Sequence, residues 1–562
     1  MSWVNESVLY HIYPLGFCGA PQKNDGVLVP RIEKLVDWIP HLKELSVNGV
    51  YLGPVFSSSE HGYDTKDYYR VDCRLGDNET FKKVCNALHE NGIRVILDGV
   101  FNHVGREFWA FQDIQKNREQ SQYCGWFHNL NFGGNSPAGD PFWYEGWQGH
   151  YNLVKLNLRN PDVVSHLLGA VELWMNEFKI DGLRLDAADC IDPDFFRTLR
   201  SFCKGKNPDF WLMGEIIHGD YNRWANPSML DSVTNYECQK GLYSSHNDKN
   251  YFEIGYSLNR QFGNGGIYKD ICLYNFVDNH DVNRLASFLK NPKHLALTYT
   301  ILYTMPGVPS LYYGSEWGIH GKRDAHSDTV LRPCLDLGQI PNADNALCEY
   351  LQQLGRLHQN LRPLQYGRYE QSMLKNEQFV FCRECDGERV YVALNLSDTP
   401  QYVEFRFQPG KLTDLLSGTE FESNDGNYKL ELPAYGARIM ATAGAMAQKE
   451  TQPVQASIFV QKEHPAAPAA PEQLEAPVPP KEEKPVEKEK IKVPACDTPV
   501  KPGRYQDSLG KEYQVIGVGK EENGLAEVVV YQELFGNCTL WVMPLVKFTE
   551  NTEDGPRFYR VS

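Results

Sequence analysis

A chain of 562 residues is long enough for several folded units, since domains run to about 100 to 200 residues each. Hydrophobic residues at 42% and charged residues at 23%, with 46 Gly and 33 Pro, exclude collagenous and wholly disordered chains. A net charge of −16 repels phosphate backbones and anionic membranes, so neither nucleic acid nor a membrane is expected as a partner.

Up to residue 362, short apolar runs alternate with amphipathic helical stretches, the pattern of a parallel sheet covered by helices. Eight runs read as strands: Val8 to Tyr13, Gly49 to Gly53, Arg94 to Asp98, Gly182 to Asp186, Trp211 to Glu215, Ser232 to Tyr236, Leu273 to Asp278 and Pro309 to Tyr313. Eight such βα units predict an α/β fold, a closed (β/α)8 TIM barrel. One helix shows the signal well: Asn160 caps, Pro161 takes the first position, and Val164, Leu167, Leu168, Val171, Met175 and Phe178 follow at helical spacing. The barrel is expected in two parts, 1–103 and 160–362. Between them, 104–159 is rich in Gly, Asn, Trp and Tyr and too long for a crossover, so it reads as a lobe inserted over the barrel mouth. Trp109, Trp126, Trp143 and Trp147 are expected mostly in that lobe's small core.

From 363 to 442 the text becomes short alternating strands (Phe379 to Arg383, Val390 to Leu394, Gln401 to Phe407, Ala437 to Ala441), which predicts an antiparallel β-sandwich. Residues 443–495 turn to Pro, Ala, Glu and Lys and read as a disordered linker. The last segment, 496–562, carries alternating runs (Tyr513 to Val518, Glu527 to Tyr531, Leu540 to Val542) and predicts a small all-β module. The 14 cysteines are spread from Cys18 to Cys538, so reduced thiols are expected; the lone pair Cys382 and Cys385 has no second ligand pair for zinc, and no metal site is assigned. No stretch of about 18 apolar residues occurs and no basic, then apolar leader opens the chain, so a cytoplasmic protein is expected.

The chemistry concentrates in four segments at the C-terminal ends of expected barrel strands, where barrel enzymes place reacting groups. They are Asp98-Gly99-Val100-Phe101-Asn102-His103, Gly182-Leu183-Arg184-Leu185-Asp186, Trp211-Leu212-Met213-Gly214-Glu215 and Phe276-Val277-Asp278-Asn279-His280-Asp281. Side chains alternate across a strand, so Arg184 and Asp186 share a face. Glycosidic cleavage needs one carboxylate to attack or shield the anomeric carbon and one protonated acid to meet the leaving oxygen. Asp186, beside Arg184, suits the ionised role; Glu215, on an apolar strand facing other acids, suits the proton donor, with a raised pKa. Asp281 is the third acid. The expected geometry is one sugar-sized gap, with the first two carboxyl groups about 5 to 6 Å apart.

These segments resemble the four signature regions of the α-amylase family of retaining glycoside hydrolases. Gly49 to Pro54, His61-Gly62-Tyr63-Asp64 and Gly307 to Gly314 resemble further pieces of that family, and the likeness covers residues 5 to 442. It implies Asp186 as nucleophile, Glu215 as general acid/base and Asp281 as the transition-state-stabilising acid. It also implies Arg184, His103 and His280 as sugar ligands and Tyr63 as an aromatic platform, with Asp98 counted among the substrate-binding residues. No cofactor is required; calcium is left open, with Asn102 at one usual ligand position. Leu153-Val154-Lys155-Leu156-Asn157 resembles the motif of neopullulanases, cyclomaltodextrinases and maltogenic amylases. The expected activity is hydrolysis of α-1,4, and potentially α-1,6, glucosidic bonds in maltodextrins, cyclodextrins or starch fragments. An α-glucan oligosaccharide is thus the expected partner, and the oligomeric state is not specified. A transglycosylase on the same fold, or a non-catalytic glucan-binding scaffold, is the alternative. The terminal module resembles a small family without an assigned function, and Tyr513 or Trp541 is a candidate sugar platform there.

Overall fold

The computed structural model describes residues 2–323, 327–446, 500, 503–507, 512–520, 527–533, 540–549, 551–552, 555–556 and 558–560. Of the expected linker, 443–495, the first four residues form a short helix, Ala443–Met446, and the part from 447 on lies outside the described residues. The chain divides into two compact units, Met1–Phe459 and Val460–Ser562.

All eight expected barrel strands form: β1 Leu9–Ile12, β2 Gly49–Leu52, β3 Arg94–Gly99, β4 Gly182–Leu185, β5 Trp211–Gly214, β6 Ser232–Val233, β7 Tyr274–Asn275 and β8 Val308–Tyr312. They are short apolar runs buried on both faces, as a parallel sheet under helices requires. Neighbours pair in parallel from β6 through β5, β4, β3, β2, β1 and β8 to β7. One parallel bridge, Thr234 to Tyr274, closes the ring between β6 and β7. These two strands are shorter than their apolar runs: just beyond β6 the chain leaves the ladder, and the Asn235 amide is bonded to Gln261 and Asn275.

Alternation along the strands sorts the side chains. Tyr10, Ile12, Val50, Leu52, Val95, Leu97, Leu183 and Leu185 point out to the helices, while Leu9, Tyr51, Ile96, Trp211, Met213, Tyr274, Phe276 and Val308 fill the barrel interior. One step further toward the C-terminal mouth, the interior positions after Leu9, Ile96, Gly182 and Met213 are His11, Asp98, Arg184 and Glu215. The barrel interior therefore changes from apolar to charged within a single layer.

The inserted lobe holds a helix, Trp109–Asn117, and a three-stranded antiparallel sheet of His103–Gly105, His150–Lys155 and Gly146–Trp147. Phe111, Ile114, Phe127, Phe142 and Tyr144 form its core. Of the four tryptophans expected mostly in that core, Trp126 is buried and Trp147 is half-buried, but Trp109 and Trp143 each keep 38% exposure.

After the barrel, a six-stranded sheet runs in the order Arg368–Leu374, Gln378–Cys385, Glu388–Asn395, Ala437–Ala441, Gly410–Asp414, Glu420–Ser423, and the pair Gln401–Arg406 and Asn427–Leu432 forms a second sheet. Val380, Cys382, Tyr391, Ala393, Val403, Phe405, Tyr428, Leu430 and Leu432 make one core between them, as a sandwich requires. In the second unit, five antiparallel strands run in the order Leu540–Pro544, Glu527–Glu533, Glu512–Lys520, Gly503–Asp507, Phe558–Arg560. Tyr513 sits in its core with Tyr505, Tyr531 and Phe548, so it offers no sugar platform; the Trp541 side chain lies outside the described residues.

Candidate active site

Arg184 is the centre of the mouth. It is buried, and its Nη1 donates to both oxygens of Asp98 at 3.0 Å and to Asp186 Oδ1 at 2.8 Å, while Nη2 reaches Glu215 Oε2 at 2.7 Å. One guanidinium thus binds three carboxylates from β3 and from the ends of β4 and β5. Parallel pairing sets this up: Asp98 is in register with Arg184, and Arg184 with Met213, two residues before Glu215. Glu215 also accepts from the Ala187 backbone N–H at 3.2 Å and from the Tyr236 hydroxyl at 3.4 Å. The Tyr236 hydroxyl in turn accepts from Asn279 Nδ2 at 3.3 Å.

This sharing changes the electrostatics expected from the sequence. Arg184 was expected to hold Asp186 ionised; instead burial pushes the Asp186 pKa well up, the carboxylates of Glu215, Asp98 and Asp281 add to the rise, and Arg184 opposes it. Burial is the larger effect, and Arg184, shared among three acids, does not cancel it.

Asp98 was expected to touch substrate. The structure corrects this: its side chain is fully enclosed, with Arg184 on both oxygens and the hydroxyls of Tyr51 and Tyr63 on Oδ2 at 2.9 and 3.1 Å. It lies a layer below the acids and serves to orient Arg184 and Tyr63.

Tyr63 stands in the turn between two short strands, Phe56–Ser58 and Thr65–Val71. The Asp64 carboxylate builds that turn by accepting the N–H groups of Glu60, His61 and Gly62 at 2.7, 3.1 and 3.2 Å. Gly62 has φ +90°, where a side chain would also meet Pro54 at 2.9 Å. The Tyr63 ring stacks on His280, centroids 5.5 Å apart, and the two are hydrogen-bonded through the hydroxyl and Nε2.

His280 Nε2 lies 3.0 Å from Asp281 Oδ2, and Arg332 Nη2 donates to Asp281 Oδ1, also at 3.0 Å. Burial works against the Asp281 charge, but the His280 imidazole and the Arg332 guanidinium hold its pKa well below the usual carboxylate range. His103 is buried with Nε2 3.9 Å from Asp186 Oδ2, and Asn102 Nδ2 is 3.1 Å from its other ring nitrogen. Burial pushes the His103 pKa down to about 3, so it faces the pocket as a neutral imidazole. The structure thus gathers Asp186, Glu215, Asp281, Arg184, His103, His280 and Tyr63 around one mouth.

Three further residues join them. Tyr236 ends the run read as the sixth strand, so the barrel rule alone could have singled it out. Tyr13 lies under Arg332, whose guanidinium is 4.6 Å from the ring centroid. Arg332 follows β8 by some twenty residues of loop, and no local pattern marks it.

Asn102 is spent on His103, and among the described residues no three His, Cys, Asp or Glu side chains gather as a metal-binding group.

Residues 11–346 match the model of the alpha amylase catalytic domain, 371–439 that of the maltogenic amylase C-terminal domain, and 503–560 that of a protein of unknown function (DUF1653). A cyclomaltodextrinase of Bacillus sp is 32% identical over 419 residues, covering 70% of this chain and 73% of its own. The intracellular maltogenic amylase of Bacillus subtilis (strain 168) is 30% identical over 427 residues, 72% of this chain and 71% of the relative. A solved cyclomaltodextrinase superposes with a TM-score of 0.69 at 29% identity, covering 78% of each chain.

Proposed function

The chain belongs to the α-amylase family of glycoside hydrolases, and we propose that it cleaves α-1,4-glucosidic bonds, and α-1,6 bonds at branch points, in maltodextrins or cyclodextrins with retention of configuration. The observation that carries this reading is the single guanidinium of Arg184 binding both Asp186 and Glu215, which turns an acid from each of two strand ends toward the same space.

Asp186 is the nucleophile. Arg184 at 2.8 Å supports its ionised form, and His103, neutral, is placed to donate to a sugar hydroxyl beside it. Glu215 is the acid. A glycosidic oxygen lying against its carboxyl takes the acid's proton as the bond to the sugar breaks. Attack by Asp186 on the anomeric carbon then gives a glycosyl enzyme and a leaving alcohol that has taken the Glu215 proton. Glu215, now ionised, takes a proton from water as that water displaces Asp186. Asp281, held ionised by His280 and Arg332, faces the positive charge that develops on the ring in both steps. Tyr63, stacked on His280, offers the sugar an apolar face. The cell interior is the proposed location, supported by the B. subtilis relative's description as intracellular; among the described residues no helix is long and apolar enough to cross a membrane.

The test is Glu215→Gln with a panel of maltotriose, β-cyclodextrin, pullulan and soluble starch. Turnover should fall by roughly 10²- to 10⁴-fold with the fold unchanged. Undiminished turnover rejects the assignment, and products longer than the starting maltotriose would show glycosyl transfer to sugar in place of water.

A further inference from the structure

Three residues beyond Asp281 stands Arg284, completely buried, with no carboxylate bonded to it among the described residues. Its Nη donors go instead to two main-chain carbonyls and a serine hydroxyl, and Nε is buried without a hydrogen-bond partner. Nη2 donates to the Leu331 carbonyl at 2.9 Å, and Nη1 to the Tyr313 carbonyl at 2.6 Å and to Ser315 Oγ at 3.0 Å. Ser315 Oγ donates on to Asp278 Oδ2 at 2.9 Å, which also accepts the Leu285 N–H at 2.8 Å. The guanidinium lies 4.0 Å over the Tyr312 ring, and the Tyr312 hydroxyl donates to the same Leu331 carbonyl at 2.9 Å. On the other side of Arg332, the Tyr313 hydroxyl donates to the Pro333 carbonyl at 2.8 Å. Gly16 presses against the Arg332 carbonyl, where a Cβ would stand at 2.2 Å.

The main chain on both sides of Arg332 is therefore gripped by buried donors, although it belongs to a loop far beyond its strand. A side chain with four rotatable bonds holds a fixed position only if its backbone does not move. Arg332 uses that fixed position on Asp281: Nη2 donates to Oδ1 at 3.0 Å and Nε to the His280 carbonyl at 3.1 Å. The chain closes a loop, from Asp281 to Arg284, across to the Leu331 carbonyl, through Arg332, and back to Asp281.

We infer that Arg284 is a positioning residue for Asp281, acting through Arg332: it fixes the loop so that the guanidinium of Arg332 meets the third acid in the place where ring charge develops. This rests on the role given to Asp281 in the proposed function. Arg284 touches no substrate and supplies no proton. A lysine there keeps the charge but is a single point donor, so it cannot reach Leu331, Tyr313 and Ser315 together.

The test is a double-variant cycle on maltotriose with Arg284→Lys and Arg332→Lys. R284K should lower kcat by about tenfold or more with KM within about threefold, and in the double variant the loss should match that of R332K alone within about twofold. A merely structural role would instead multiply the two losses, and that result overturns the inference, as does wild-type kcat in a folded R284K. If R284K does not fold, Tyr312→Phe, which removes one donor from the Leu331 carbonyl and leaves Asp278 untouched, is put through the same cycle. A lowered kcat that does not compound with R332K supports the inference; wild-type kcat or multiplied losses overturn it. A wild-type protein that turns over none of the four glucans would overturn the proposed function and this inference with it. Activity that needs Glu215 and ignores Arg284 would overturn only the inference.

Discussion

Replacing Arg184 by Met should make the protein's stability strongly dependent on pH. The guanidinium binds Asp98, Asp186 and Glu215 at 2.7 to 3.0 Å, and Asp98 is fully enclosed. Removing one partner of a buried ion pair costs about 3 to 5 kcal/mol, because the charge left behind has neither water nor counter-ion. The stranded acid can escape by taking a proton, and that sets the ceiling: at about 1.4 kcal/mol per pH unit above an unfolded pKa near 4, protonation costs about 4 kcal/mol at pH 7 and about 0.7 kcal/mol at pH 4.5. The sign follows from proton counting. A carboxyl whose folded pKa is raised binds its proton in the folded protein and not in the unfolded chain, so stability is intact below the unfolded pKa and is lost as pH rises toward the folded one. Burial already raises the Asp186 pKa against the pull of Arg184, so losing that guanidinium should raise it further. Urea unfolding of wild type and R184M at both pH values measures it. The variant should lose about 4 kcal/mol at pH 7 and about 1 kcal/mol or less at pH 4.5. An equal loss at both, or none at pH 7, would refute the account of Arg184 as the counter-ion shared by three acids.

Other outcomes follow from single contacts. Tyr236→Phe removes one long hydrogen bond, 3.4 Å, from Glu215, worth about 1 kcal/mol, so kcat/KM should fall about fivefold with unfolding unchanged; a loss beyond about 100-fold would mean that the hydroxyl does more than orient the acid. Gly16→Ala puts a methyl 2.2 Å from the Arg332 carbonyl, and because both sides are main chain the loop must shift; activity should drop together with about 1 to 3 kcal/mol of stability, both measurable on one preparation. A chain ending at Phe459, which keeps the first compact unit whole, should hydrolyse maltotriose within about twofold of the full chain, and loss of activity would give the terminal module a part in the reaction.

The barrel was legible because its strands are apolar runs of five or six residues between amphipathic helices, a pattern that depends on local burial alone. The sandwich was half legible. Phe379 to Arg383 and Val390 to Leu394 are dense apolar runs, but Gly410–Asp414 and Glu420–Ser423 carry one apolar residue each, Leu412 and Phe421, and the hairpin they form joins the sheet through the later strand Ala437–Ala441. The same distinction divides the site. Asp186 and Glu215 stand one residue beyond β4 and β5, and Asp281 six beyond β7, all past the C-terminal ends of barrel strands, so their convergence follows from the strand count. Arg332 reaches Asp281 only because buried Arg284 and Tyr312 fix the carbonyl before it, and that placement is a property of the folded loop.

The reading of pKa values from the sequence went astray for the same reason. A cation two residues from an acid on one strand looks like its private partner. In a closed barrel each interior layer gathers side chains from several strands, so the partners of Arg184 are set by the register of β3, β4 and β5 and number three. This makes the choice of residue intelligible. An arginine presents a planar fork, one nitrogen to Asp98 and Asp186 and the other to Glu215, whereas a lysine ammonium at the same place could sit against one carboxylate and would leave the others buried without a partner. With Asp98 fixing the fork from below, the two upper acids are held in relation to each other before any sugar arrives, and the orientation cost of bringing nucleophile and proton donor together is met in folding and does not recur in each turnover.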